Sequence, residues 1–446
     1  MTYPATSETT HAGWRNAFGQ YRNVLAIVLS LTLLQGAAAA LSVMIALGLQ
    51  ASGTSNAALG LVAAFYAGGF LTGAILSPIQ ISRIGHIRSF AFFAAIAIIA
   101  SLSLTLGPNV IFWALVQAVI GACTSALFTA GESWIADASP PEKRGAILGF
   151  YHVVAKLGAI GGPFAVMAGA NGIMGFLMVA ALFAVTIMPI TATRQIQPEI
   201  HAASPFGPRK ILKYAPAAAF AAFCAGAVNN SVAQLYPIFA QAISPDSAAA
   251  FSARFNGALL AGAMLGLWPA GFISDRIDRR LVIAAAGIIG AVSAVALTLF
   301  SPLATEAVIL LLAFLFGMGA LSYYAVAVAH AADRARPEQA TSMMAGILII
   351  WGIGSVIGPL IAGVSMSAIG PGGLFAFAAL ALAIMAALMF TRMVNTPEVT
   401  SEEKEPFNAT QATSLAISEI DPRGEATNEQ FDLFLAWMAS QETDTE

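Results

Sequence analysis

Apolar runs of about 20 residues, the length at which a helix crosses ~30 Å of hydrocarbon, recur through this chain and restrict its fold more than any other feature. They fall at residues 24–49, 57–79, 89–106, 109–136, 145–168 and 172–192, then at 215–241, 252–273, 281–300, 304–331, 342–366 and 373–393. Short polar punctuation, such as Gly107-Pro108-Asn109, separates them. With 58% hydrophobic and 10% charged residues over 446 positions, the chain lies outside the composition of soluble domains. The expected architecture is an all-α polytopic membrane protein with twelve transmembrane helices.

Of the 20 Lys and Arg residues, 18 fall on one side of this zigzag; Arg254 borders an opposite loop and Lys156 lies within a span. Lys and Arg collect in cytoplasmic loops. The reading is therefore a multi-pass protein of the cell's inner (plasma) membrane with both termini cytoplasmic. Arg15 and Arg22 precede a first apolar run too long for a signal peptide, so that run is read as the first span. Cys123 and Cys224 sit in separate spans and have neither disulfide nor metal spacing. No metal or other cofactor is implied. The net charge of −3 conceals an asymmetry, because residues 395–446 hold 12 of the 23 acidic residues, which makes the tail an acidic appendage.

Residues 196 positions apart match repeatedly: Asp137 with Asp333, Pro141 with Pro337, Glu142 with Glu338, Gly158 with Gly354, Gly162 with Gly358 and Pro163 with Pro359. The register sets spans four and five against ten and eleven. Two parallel six-span repeats around a midplane site are a transporter plan. The chain therefore divides into a cytoplasmic segment 1–20, an amino-terminal six-helix bundle 21–193, a linker 194–213, a carboxyl-terminal six-helix bundle 214–394 and the tail 395–446.

The loop Gly271 to Arg280 reads GFISDRIDRR, and the corresponding loop of the first half, Ser82 to Arg88, reads SRIGHIR. The first resembles the G-x-x-x-D-R-x-x-R-R signature of the major facilitator superfamily. The second keeps Arg83 and Gly85 but has Ser82 where the family has Asp. With PPEKRGAILG (140–149) and GESWIAD (131–137), the chain is most similar to the YcaD-like branch of that superfamily. The resemblance implies the two-bundle facilitator fold and a conformational latch built from Arg83, Asp275, Arg276, Arg279 and Arg280. By pseudo-symmetry Asp275 is expected near the start of span five, at 142–145, where unpaired helix N–H groups favour a carboxylate. A plain solvated basic loop is the alternative.

Span five carries the least expected side chains. At ~1.5 Å per residue, His152 lies roughly 12 Å and Lys156 roughly 18 Å from Arg144, deep in the membrane. At 100° per residue Gly149, His152, Lys156, Ala159 and Pro163 share one face, while Tyr151, Ala155, Gly158 and Gly162 form an adjacent small-residue face suited to close packing. A charge at that depth normally meets a cavity or a partner. Glu132 in span four, at a depth close to that of His152, is the expected partner, either as a static pair with Lys156 or as part of substrate or proton handling. His152 reads equally well as a core histidine. Gln35, Asn230, Gln234, Tyr323 and Tyr324 are further candidates for substrate contact, each with helix packing as the alternative.

The leading expectation is a secondary active transporter that moves a small solute by alternating access. The spacing of Gly149, Gly158, Gly162 and Pro163 resembles the start of the span-five motif of facilitator antiporters, which implies proton-coupled export, although Val166 and Met167 replace its closing glycines. A membrane enzyme is disfavoured because the sequence has no P-loop, His-rich cluster or nucleophile motif. The alternative is a transport-inactive sensor or receptor that uses the same scaffold and the acidic tail. Expected partners are the small-molecule substrate and membrane lipid, with no nucleic acid; the protein is read as a monomer. In the tail, 428–440 has an i, i+3, i+4, i+7 apolar stripe. It suggests a short helix for a protein partner or for the protein's own cytoplasmic face.

Overall fold

A computed structural model describes residues 9–139, 144–167, 172–192, 207–335 and 339–395, followed by residues 397, 404, 407 and 412–414; for 9–23, 136, 137, 144–146, 340 and 341 only the backbone is described. The first half comprises α1 (Thr9–Ala51), α2 (Asn56–Ile84), α3 (His86–Ser103), α4 (Val110–Ala138), α5 (Arg144–Val166) and α6 (Ile173–Thr191). The short α7 (Pro208–Tyr214) follows. The second half comprises α8 (Pro216–Ile243), α9 (Ala248–Ser274), α10 (Arg279–Phe300), the pair α11 (Glu306–Ala320) and α12 (Tyr323–Ala332), α13 (Ala340–Ile369) and α14 (Gly373–Asn395). The tenth span is therefore two helices in line, broken at Leu321 and Ser322.

Among the described residues, eleven spans are long and apolar enough to cross a membrane. The twelfth member, α8, falls short of that apolarity because it carries Asn229, Asn230, Ser231 and Gln234. It nevertheless runs for 28 residues and packs against both α13 and α1, since its polar side chains are turned inward. The architecture is two pseudo-symmetric six-helix bundles.

Inside a bilayer little hydrophobic force draws helices together, so close backbone approach at small residues supplies much of the attraction. The repeat provides it twice. A Cβ on Gly158 or Gly162 of α5 would collide with the carbonyl oxygen of Thr32 or Gly36 on α1; one on Gly354 or Gly358 of α13 would collide with that of Phe223 or Ala227 on α8. The correspondence extends further. Gly69 and Gly73 of α2 abut the carbonyls of Ala118 and Ala122, as Gly262 and Gly266 of α9 abut those of Phe314 and Met318. Here the helices correspond at 193 rather than 196 (Gly69 with Gly262), so a single-offset comparison passes over them.

These contacts give a controlled prediction. Gly158→Val inserts a side chain where none fits, whereas the Gly161 Cβ position has no atom within 4 Å. Gly158→Val is expected to cost about 1 to 3 kcal/mol of stability and Gly161→Val almost nothing. Comparing the heat-aggregation midpoints of the two variants in detergent checks it.

Candidate functional site

The two halves enclose a central cavity of about 1090 Å³. The first half contributes Gln35 and Ser42 from α1 and Gly149, His152, Lys156 and Ala159 from α5; the second half contributes Asn230 and Gln234 from α8, Tyr324 from α12 and Trp351 from α13. At one end it reaches Gly271 and Asp275, beside the basic loop between α9 and α10.

The opposite end is closed by contacts between the halves. Near the start of α2 and the end of α13, Asn56 Nδ2 donates to Met366 O at 3.2 Å and Ala57 N donates to Ser367 Oγ at 2.9 Å. One turn deeper, a Cβ on Gly60 would overlap the Pro359 carbonyl and lie 3.0 Å from Gly363 Cα. Between α9 and α5, Asn256 Nδ2 donates to Ala159 O at 3.0 Å. The cavity is thus sealed away from the basic loops and directed toward them.

Of the face expected of span five, Gly149, His152, Lys156 and Ala159 line the cavity and Pro163 does not. Lys156 is half-buried and forms no ion pair among the described residues. The expected pairing with Glu132 is not what the structure contains. Glu132 is fully buried behind the cavity lining, where its carboxylate accepts from Tyr151 Oη at 2.7 Å and from Ser414 Oγ. The reason is rotational: Tyr151, one residue before His152, turns toward α4, whereas His152 and Lys156 turn toward the cavity. His152 is 4% exposed, and neither ring nitrogen has a partner among the described residues, so the picture of a hydrogen-bonded core histidine does not describe it.

The remaining candidates divide. Gln35, Gln234 and Tyr324 line the cavity. Asn230 also lines it, but its Nδ2 is committed to Ser355 O at 2.9 Å, linking α8 to α13. Tyr323 is fully buried, its hydroxyl has no partner among the described residues, and it does not line the cavity. In the aromatic wall, sequence reasoning named Tyr324 but missed Phe70 and Phe128: Trp351 stands edge-on to Phe70 at 6.5 Å and to Tyr324 at 6.3 Å, and Phe128 lies 6.4 Å from Phe70.

At the loop between α9 and α10, Arg279 is buried and donates through Nε to Asp333 at 2.7 Å and through Nη1 to Asp275 at 3.2 Å. Arg280 pairs with Asp278 at 2.7 Å and donates to the Arg392 carbonyl. Burial raises the Asp278 carboxyl, but hydrogen bonds and attraction from Arg280 outweigh it and leave the group below its ordinary range. Arg276 lies over the Phe272 ring, its guanidinium carbon 3.5 Å from the ring centre, and Arg83 is exposed at the end of α2. Asp275 accepts from Phe407 N at 3.0 Å; residues 142 and 143 of the expected latch, and the stripe at 428–440, lie outside the described residues. Asp333→Asn is expected to destabilise the fold by about 3 kcal/mol, because it removes the buried carboxylate of the Arg279 pair and leaves the guanidinium only the partly exposed Asp275. Adding Arg279→Met should recover most of the lost folded yield, measured by detergent gel filtration.

Among the described residues, twelve span-length helical units surround one central cavity, the plan of a membrane transporter. The chain belongs to the major facilitator superfamily, whose family model matches residues 25–320 and 218–439. The second match continues past α14 into the tail, farther than the sequence resemblance reached. The protein is 28% identical over 346 residues to the uncharacterized MFS-type transporter YcaD of Escherichia coli O17:K52:H18 (76% of this chain, 87% of that one). It is 27% identical over 345 residues to a second uncharacterized MFS-type transporter, from Enterobacter sp. strain 638 (76% and 87%). Among solved structures, the nucleoside transporter NupG superposes with a TM-score of 0.69 at 15% identity (82% of this chain, 99% of that one). A bacterial homolog of the human lysosomal transporter Spinster, inward-facing and occupied, gives 0.67 at 18% (86% and 97%). At these identities the structural likeness concerns the fold.

Proposed function

We propose that this protein is a secondary active transporter that carries a small organic anion by alternating access, with Lys156 as the principal anion ligand. The observation that carries this reading is the ammonium of Lys156, which faces a closed-ended cavity and has no carboxylate partner among the described residues. An uncompensated charge at this depth costs at least ~2.5 to 3.5 kcal/mol on insertion scales, and an anionic substrate would offset that cost each time it binds. His152 can donate to or accept from the same substrate, as its partnerless nitrogens allow. The aromatic wall of Phe70, Tyr324 and Trp351 would hold an apolar or ring-bearing body.

With the basic loops assigned to the cytoplasm, the cavity is inward-facing and both termini are cytoplasmic. The sealed end is the outer gate, and the Asp275, Arg276, Arg279 and Arg280 cluster, with Arg83, is the cytoplasmic latch. Glu132 accepts hydrogen bonds but pairs with no cation among the described residues, so protonation would remove its charge. This makes it the group best suited to couple transport to protons, in keeping with export by proton exchange. The domain boundaries at 193 and 213 are proposed with it.

The test is an untargeted comparison of the solutes retained by cells with and without the protein. One or more organic anions should differ between the two. A difference confined to cations or neutral solutes would overturn the anion assignment while leaving transport intact.

A further inference from the structure

The mouth of the cavity on the basic-loop face is not bare. Phe407 directs its ring against Gly271 of α9, so closely that a Cβ there would overlap it, and its N–H donates to the Asp275 carboxylate at 3.0 and 3.2 Å. Lys404 Nζ donates to the Ile277 carbonyl at 3.0 Å. Ala412 and Thr413 form part of the cavity lining. Ser414 is fully buried and donates its hydroxyl to Glu132 Oε2.

These contacts have a direction. Ile277, Asp275 and Gly271 belong to the second half, whereas Glu132 is on α4 of the first. Neutral donors of the tail thus satisfy one carboxylate on each half, and an apolar ring fills the gap that a glycine leaves at the mouth. A buried carboxylate oxygen left without a donor is costly; Tyr151 serves Glu132 Oε1 and Ser414 serves Oε2, so Glu132 favours the docked tail.

We propose that the basic-face mouth of the cavity is a binding site for the chain's own carboxyl-terminal segment, held through Lys404, Phe407 and residues 412–414. Docked, the segment covers the route to the cavity and straps the two halves together. Anything that frees it opens the mouth. The consequence for flux rests on the proposed transport, but occupancy of the mouth does not, and it can be measured without a substrate.

The experiment places a single cysteine at Ala38, a half-buried cavity residue on α1, in the full chain with Cys123→Ala and Cys224→Ala replacing the two buried native thiols. The labelling rate of purified protein in detergent with a polar maleimide is compared with that of the same chain carrying Phe407→Ala and Ser414→Ala. Losing the packed ring and a buried hydrogen bond should raise the rate about tenfold. An excess of a synthetic peptide spanning 400–418 should return it toward the starting value. An unchanged or slower rate in the tail variant would overturn the proposal, as would a rise that the peptide leaves untouched. Gel filtration before labelling confirms that each sample is folded, so the rates report the mouth alone.

Discussion

Lys156→Met is expected to insert and fold normally but to lose at least about 100-fold in flux per folded molecule. Truncating one partner of a buried charge contact costs ~2 to 5 kcal/mol when the other charge remains. Here the charge left behind is the substrate's. Methionine keeps a similar apolar stem and removes only the ammonium. Lys156→Arg should recover part of the flux, because the guanidinium keeps the charge but presents a planar fork and does not release its proton readily. The double variant Glu132→Gln with Lys156→Met separates this account from a structural pair. If the two residues stabilised each other, removing both would restore folding and flux. Glu132 instead bonds Tyr151 and Ser414, so the double variant should remain inactive. Radiolabelled uptake or counterflow of any anion found by the solute comparison provides the readout.

The second large effect concerns the outer gate. Gly60 sits against Pro359 and Gly363 with no room for a side chain, and α2 and α13 are held together nearby by the hydrogen bonds of Asn56 and Ala57. Gly60→Val should wedge this seam apart. Interfaces of this kind have discrete packings rather than continuous ones, so the expected response is a population shift toward the state that is open on the far side. A bias of about 3 kcal/mol, at the upper end of overpacking costs, changes the ratio of states by roughly 100-fold. The measurement is labelling of a cysteine at Ala38 from outside intact cells, which should become fast in Gly60→Val and stay slow with Gly68→Val, whose Cβ position is open. Equal rates in the two variants would mean that the α2–α13 seam does not gate the cavity.

Most of the scaffold was readable because bilayer thickness imposes one length on every span, and no soluble fold needs that length twelve times. Helical rotation was equally instructive on α5, where Gly149, His152, Lys156 and Ala159 share the cavity-facing side. It failed at Glu132, because depth alone was matched: two residues at one level meet only if both helices also turn the right way, and the rotation of α4 cannot be read from its own apolar pattern. Tyr151 was assigned to a packing face by its glycine neighbours, yet its hydroxyl is what reaches the carboxylate. The tail contacts were less legible still. Phe407 and Ser414 meet residues 132 and 282 positions away, and a lone Phe or Ser in an acidic stretch carries no periodicity that would announce a buried partner. Asn256, which joins α9 to α5, was hidden for a similar reason, because it follows Ser252 and Arg254 at the polar entrance of its span and carries no periodicity of its own.

The central claim is that both membrane faces reach one cavity in turn and that an organic anion binds there through Lys156. It is tested most directly by two-sided labelling of the Ala38 cysteine in membrane vesicles of known sidedness, with and without the transported anion. The account predicts labelling from each face separately, slowing from both faces when the anion saturates the site, and loss of that protection in Lys156→Met with the unprotected rates retained. Labelling from one face only, or protection that persists without the Lys156 ammonium, would contradict it.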